Sequence, residues 1–115
     1  MKRFPSIKKN RDFQRIYRNG RSYANRLLVM VVEKTEDEKV HIGISVSKKV
    51  GNSVVRHHLT RSIREIFRLN KHRIKTGSNI VVVAREAAAH SDYKGLEGAY
   101  LHLCGLHNML IEGSK

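Results

Sequence analysis

The segment VHIGISVSKKVGNSVVRHHLTRSIREIFRLN, residues 40–70, contains the two periodicities that decide the fold. Apolar residues occupy alternate positions of residues 40–47, which predicts a strand with one buried face. After a short turn, either Asn52 or Ser53 can cap a helix that we expect over about residues 53–72. A strand that leads directly into a long amphipathic helix therefore forms the centre of the predicted fold.

The predicted long helix has one apolar and one basic side. On a helical wheel the apolar side comprises Val55, Leu59, Ile63 and Ile66, with Phe67 at its edge, and the basic side comprises His57, Arg61, Arg64, Arg68 and Lys71, with Arg56 at the boundary. A solvated helix face usually mixes Lys with Glu, whereas residues 54–70 contain only Arg as cations and only Glu65 as an acid. Because the Arg fork donates paired hydrogen bonds to phosphate, this pattern favours a phosphate-binding face.

The elements around this centre predict an α+β fold. Residues 80–84 form an apolar run without alternation, which is typical of a central strand covered on both faces. The strands at 26–33 and 40–47 are expected to form a hairpin. The full set is a helix at 10–18 capped by Asn10, strands at 21–25, 26–33, 40–47 and 80–84, the long helix, and a last helix at 91–110 with Leu96, Tyr100, Leu103 and Leu110 toward the core.

Charge is the most unusual feature of the composition. The 115 residues include 23 Lys or Arg and 10 Asp or Glu, a formal net charge of +13. Residues 1–26 and residues 48–75 each contain nine basic residues and one acid, so these two segments carry the whole excess. Such segregation indicates a polyanionic partner, with nucleic acid the first candidate and an anionic membrane the second.

Several protein classes are excluded or disfavoured by the same sequence. The single cysteine, Cys104, cannot form an internal disulfide or a multi-cysteine zinc module. No apolar run approaches the ~18–20 residues of a membrane span, and the basic start of the chain is unlike a signal peptide, so we expect one cytoplasmic domain over residues 1–115. We expect neither a catalytic side chain nor a metal site: His102, Cys104 and His107 are interpreted as ordinary helix residues.

The N-terminal segment combines aromatic and basic residues. Phe13 and Tyr17 are one helical turn apart, and the cations around them are Lys8, Lys9, Arg11, Arg15 and Arg18. Aromatic rings among cations suit single-stranded nucleic acid, whose bases stack while cations follow the backbone. Two aromatics at this spacing are also typical of a helix face in a core, and the sequence leaves both interpretations open.

The central motif resembles a known family. SVSKKVGNSVVR at residues 45–56, followed by RSIRE at residues 61–65, is similar to the signature block of the bacterial ribonuclease P protein subunit, and DFQRIY at residues 12–17 fits the same family. The resemblance implies that a large catalytic RNA is the partner and supplies both the active site and its Mg²⁺. It implies that the protein binds this RNA and the single-stranded 5′ leader of precursor tRNA, with no tightly bound cofactor and no obligate protein partner.

The resemblance also implies a fold and residue roles. The fold is a small two-layer α+β sandwich with a left-handed βαβ crossover, opposite to the usual hand. The residues expected to contact the catalytic RNA are Arg56, His57, Arg61, Arg64 and Arg68, those of the leader cleft are Phe13, Tyr17, Lys48 and Lys49, and the supporting basic residues are Lys8, Lys9, Arg11 and Arg15. The sequence departs from the family pattern at residues 57–60, where His57 and His58 partly replace basic residues.

Three other functions fit parts of the pattern. A structural RNA-binding protein, such as a ribosomal component, has the same charge. A DNA-binding regulator is less consistent, because the basic helix face has no Asn or Gln for reading bases. A membrane-surface helix is less consistent still, because the apolar side of the basic helix is required for the core.

Overall fold

Three α-helices and four strands make up the described part of the chain. The computed structural model describes Ile7 and residues 9–111. The elements are α1 (Asn10–Asn19), β1 (Arg21–Ala24), β2 (Leu28–Lys34), β3 (Val40–Ser45), α2 (Ser53–Asn70), β4 (Ser78–Ala84) and α3 (Tyr93–Leu106), with short 3-10 helices at Lys71–Arg73 and Glu86–His90. The α+β class and the predicted order of helices and strands are confirmed.

The strand order in the sheet is β1-β2-β4-β3, so the predicted hairpin is wrong. β4 lies between β2 and β3, antiparallel to β2 and parallel to β3. The apolar run at 80–84 explains this arrangement, because a strand that is apolar on both sides is covered only in the middle of a sheet. β3, α2 and β4 thus form a βαβ unit. Its left-handed crossover stays a prediction.

The helices cover the two faces of the sheet unequally. α2 and α3 pack on one face and enclose the larger core, which includes Ile42, Phe67, Ile80 and Tyr100. On the opposite face, Ile16 of α1 contacts Val31 and Val81 in a small second cluster. Val29 and Val83 at the border of this cluster are only partly buried. Of the described helices only α1 lies on this face, where Val29 and Val83 stay partly accessible.

The helix ends follow local capping chemistry, with two corrections. Asn52 caps α2 as one of the two predicted candidates, its side-chain oxygen accepting a hydrogen bond from the Val55 amide at 3.0 Å. Asn10 does not cap α1, because it is already the first helical residue and Lys9 precedes it without a side-chain cap. α3 starts after Asp92, which caps it, and ends at Leu106 rather than near residue 110.

Candidate nucleic-acid interface

The exposed side of α2 carries the predicted phosphate-binding row. His57, Arg61, Arg64 and Arg68 are all exposed. Within the part of the chain that the structure describes, Arg61 and Arg64 form no ion pair, whereas Arg68 pairs with Glu65 three residues earlier. The row therefore offers two guanidinium groups whose hydrogen-bonding capacity is open to an external phosphate.

The start of α2 adds further positive potential. Lys48 and Lys49 are exposed in the turn before the helix, where the helix dipole also favours an anion. Arg56 differs from the exposed row, because it is half-buried and its Nε is buried without a hydrogen-bond partner among the described residues. Part of this side chain is therefore buried, and only the rest is available to an external phosphate.

A groove runs along α1 on the opposite face of the sheet. The rings of Phe13 and Tyr17 lie with centroids 6.3 Å apart and planes tilted by 48°. Tyr17 is 39% exposed, and Phe13 is half-buried. The groove has a volume of about 480 Å³ and is lined by Asn10, Phe13, Tyr17, Ile44, Ser45 and Val46. The structure thus brings both predicted aromatic residues to one open groove between α1 and the end of β3.

A glycine on β3 sets the position of Phe13. A Cβ at Gly43 would lie 2.9 Å from Cζ of Phe13, which is closer than carbon atoms pack, and 3.1 Å from Cβ of Ile7, which is a tight contact. The Phe13 ring packs against the small cluster on this face and also lines the groove. The ring is therefore partly in the core and partly open to the groove, and its stacking on nucleic-acid bases stays a prediction.

The predicted basic residues of the N-terminal segment fall into different environments. Lys9 and Arg11 are exposed, and no ion pair involves them in the described residues. Lys8 lies outside the described residues. Arg15 is different, because its guanidinium is bound by two carboxylates of the protein itself.

Arg15 links α1 to β2 through Glu33. Its Nε and Nη2 donate to the two oxygens of the Glu33 carboxylate, each at 3.3 Å, and its Nη1 donates to Asp12 at 2.9 Å. Asn79 of β4 donates to the same carboxylate at 2.9 Å. Partial burial opposes the charge of Glu33, but the hydrogen bonds from Asn79 and Arg15 and the charge of Arg15 outweigh it and lower the pKa of this carboxyl group.

Two arginines that the site prediction left out lie beside Lys49. Arg26 precedes β2 and Arg85 follows β4, and together with Lys49 they line a second groove of about 590 Å³. Arg85 donates to the Asn25 carbonyl at 2.8 Å, which fixes its position. The sequence could have predicted this pair from their positions next to strand ends, because the start of β2 and the end of β4 lie side by side in an antiparallel pair.

The residues considered for metal binding have separate surroundings. His102 contacts the Asn25 side chain at 3.1 Å, and Nε2 of His107 donates to the Met30 carbonyl at 2.9 Å. Cys104 is buried, which raises the pKa of its thiol to about 11. Across Ile7 and residues 9–111, no group of three or more His, Cys, Asp or Glu side chains could hold a metal ion, and no helix is long and apolar enough to cross a membrane.

Comparison with known sequences gives consistent matches. Residues 1–106 match the family model described as Ribonuclease P. The chain is 47% identical over 105 residues to the ribonuclease P protein component of Lachnoclostridium phytofermentans, covering 91% of this chain and 90% of that protein. It is 48% identical over 97 residues to that of Alkaliphilus metalliredigens, covering 84% and 87%.

Comparison with solved structures agrees. The RNase P protein from Staphylococcus aureus superposes with a TM-score of 0.86 at 37% identity, covering 95% of this chain and all of the other. The RNase P protein from Thermotoga maritima superposes with a TM-score of 0.82 at 32% identity, covering 94% and 98%. The similarity therefore extends over nearly the whole of each chain.

Proposed function

Since the chain belongs to the ribonuclease P protein family, we propose that it is the RNA-binding subunit of a ribonucleoprotein endoribonuclease that removes the 5′ leader from precursor tRNA. The observation that carries the proposal is the family match over residues 1–106. A ribonuclease P RNA is the partner, and a ribosomal role is not favoured, because the relatives and the similar structures are ribonuclease P proteins.

The basic face of α2 is proposed as the surface that docks on the catalytic RNA. Support comes from the unpaired guanidinium groups of Arg61 and Arg64, with His57 and Arg68 in the same exposed row and Arg56 beside it. Each phosphate contact releases counterions, so the logarithm of the affinity should fall with the logarithm of salt by about 0.7 to 0.9 per contact.

The groove along α1 is proposed as the binding site for the single-stranded leader. Phe13 and Tyr17 offer ring faces on which bases can stack, and Lys9, Lys48 and Lys49 can follow the backbone. Stacking does not depend on base identity, since every base has a π face. A groove of this kind suits leaders of differing sequence.

Chemistry in this proposal belongs to the RNA. The Mg²⁺ ions of the enzyme are assigned to the catalytic RNA, and the described residues contain no cluster of carboxylate or imidazole ligands to receive one. The protein contributes binding energy and positive charge. These reduce the concentration of divalent ions that the RNA needs to hold its substrate.

Reconstitution tests the proposal. The purified chain is added to a bacterial ribonuclease P RNA at low Mg²⁺, and cleavage of a labelled precursor tRNA is followed. We expect cleavage at the mature 5′ end to become measurable only when protein is present. The Arg61→Ala/Arg64→Ala double variant, checked for folding by circular dichroism, should require more protein for the same rate. A folded chain that gives no stimulation contradicts the proposal.

A further inference from the structure

The attachment of α1 to the sheet depends on a small apolar contact. Ile16 is the only buried residue of α1, and it packs against Val31 and Val81 near the middle of the sheet. A single buried side chain holds the helix against the sheet at one position, but it does not determine the rotation of the helix about its own axis. The helix needs contacts on either side of Ile16 to hold its rotation.

Two contacts on opposite sides of Ile16 supply this constraint. Toward β3, the Phe13 ring lies over Gly43 and borders the groove. Toward β2, the Arg15 fork binds both oxygens of Glu33 at 3.3 Å. The groove therefore lies between α1 and β3, and the Arg15–Glu33 ion pair joins the other side of α1 to β2.

The carboxylate in this contact is itself held in place. The Glu33 side chain is only 15% exposed, and Asn79 of β4 donates to it at 2.9 Å. Arg15 in turn is shared with Asp12 on its own helix at 2.9 Å. The charge of Arg15 is thus matched by two carboxylates, and each of its three side-chain nitrogens donates a hydrogen bond to one of them.

We propose that Glu33 and Arg15 are positioning residues of the leader groove, which fix the rotation of α1 and so the distance of Phe13 and Tyr17 from β3. This rests on the proposed function, because it assigns the residues a role in holding the leader. Arg15 then acts on the leader through α1 and makes no phosphate contact, whereas Arg11, four residues earlier, is exposed, forms no ion pair among the described residues, and is assigned a phosphate contact in this proposal.

The test compares Arg15→Ala and Glu33→Gln with Arg11→Ala as the matched control. For each holoenzyme, the dissociation constants of a precursor tRNA and of the mature tRNA are measured over a range of salt. We expect Arg15→Ala and Glu33→Gln each to reduce the preference for the precursor by about twofold to fivefold. We expect their salt slopes to equal that of the unchanged protein, whereas Arg11→Ala should lower the slope by about 0.7 to 0.9.

The double variant provides a second readout. Because Arg15 and Glu33 act as one contact, the Arg15→Ala/Glu33→Gln variant should lose no more preference than either single variant, whereas two independent defects would multiply. A reduced salt slope for Arg15→Ala assigns that residue to a phosphate instead. If Glu33→Gln instead raises the affinity for precursor and mature tRNA equally, Glu33 acts only by reducing the positive potential of the protein surface. Either result overturns the proposal.

The wild-type holoenzyme separates this inference from the function on which it rests. If the unchanged protein gives no preference for the precursor, leader binding itself is wrong. If it gives the preference and both variants retain it in full, leader binding stands and the positioning role is wrong. Circular dichroism and thermal unfolding confirm that each variant is folded.

Discussion

Gly43→Ala shifts the position of the Phe13 ring but leaves the chemical identity of every side chain that could touch RNA unchanged. The new Cβ would lie 2.9 Å from Cζ and 3.0 Å from Cε1 of Phe13, so the ring must withdraw by roughly 0.5 to 1 Å to reach ordinary contact. Overpacking by one methyl group lowers the free energy of unfolding by about 1–3 kcal/mol, and replacing a strand glycine by alanine raises it by about 0.5–1 kcal/mol. Because Phe13 is half-buried and can move toward the groove, we expect a net loss of about 1 kcal/mol.

Urea unfolding measures this loss, and holoenzyme binding measures its functional effect. The displaced ring enters the groove, so Gly43→Ala should reduce the preference for precursor over mature tRNA, in the same direction as Phe13→Ala. Gly43→Ala/Phe13→Leu should recover stability, since leucine lacks the clashing ring atoms, but it should not recover the preference. If Phe13→Ala abolishes the preference and Gly43→Ala leaves both stability and preference unchanged, the Phe13 ring does not rest on Gly43 and the reasoning is refuted.

Four further predictions concern substitutions that change RNA binding or folding stability. Arg61→Ala and Arg64→Ala should each weaken binding to ribonuclease P RNA and lower its salt slope by about 0.7 to 0.9, and unchanged affinity in both would remove α2 as the docking surface. Asn52→Ala should lower the free energy of unfolding by about 0.5–2 kcal/mol in urea titrations, because the Val55 amide loses its cap. Glu33 has a lowered pKa in the folded state, so its contribution to stability is present above its unfolded pKa and lost as pH falls through the folded value, and Glu33→Gln should flatten that part of the stability profile. Burial lowers the pKa of His107, so stability should also fall as pH drops below about 6.5, and His107→Gln should remove that component.

Local features of the sequence predicted α2 well. The apolar stripe, the basic row and the cap at Asn52 all depend on residues within one or two turns, where helical spacing fixes which side chains are neighbours. Leu59, Ile63, Ile66 and Phe67 are buried as the wheel predicts. Apolar periodicity and turn residues also predicted the remaining helices and strands in their order, including the short strand that follows α1.

Features that depend on distant pairs were missed. The hairpin between β2 and β3 was inferred from adjacency in sequence, although the apolar run of β4 already indicated the strand that takes the centre. The pairing of Arg15 with Glu33 joins residues 18 positions apart on different elements, so spacing gives no sign of it. The role of Phe13 stayed open because it depends on Gly43, which reads in sequence only as one position of a strand.

The measurement that tests the account most directly compares the catalytic RNA alone with the holoenzyme on precursor tRNAs whose leaders are shortened stepwise to one nucleotide. The account predicts that, with the protein bound, affinity falls as the leader leaves the groove, and that without the protein the same shortening has little effect. Equal dependence on leader length with and without bound protein would contradict it, since the chain would then associate with the RNA and leave the substrate untouched.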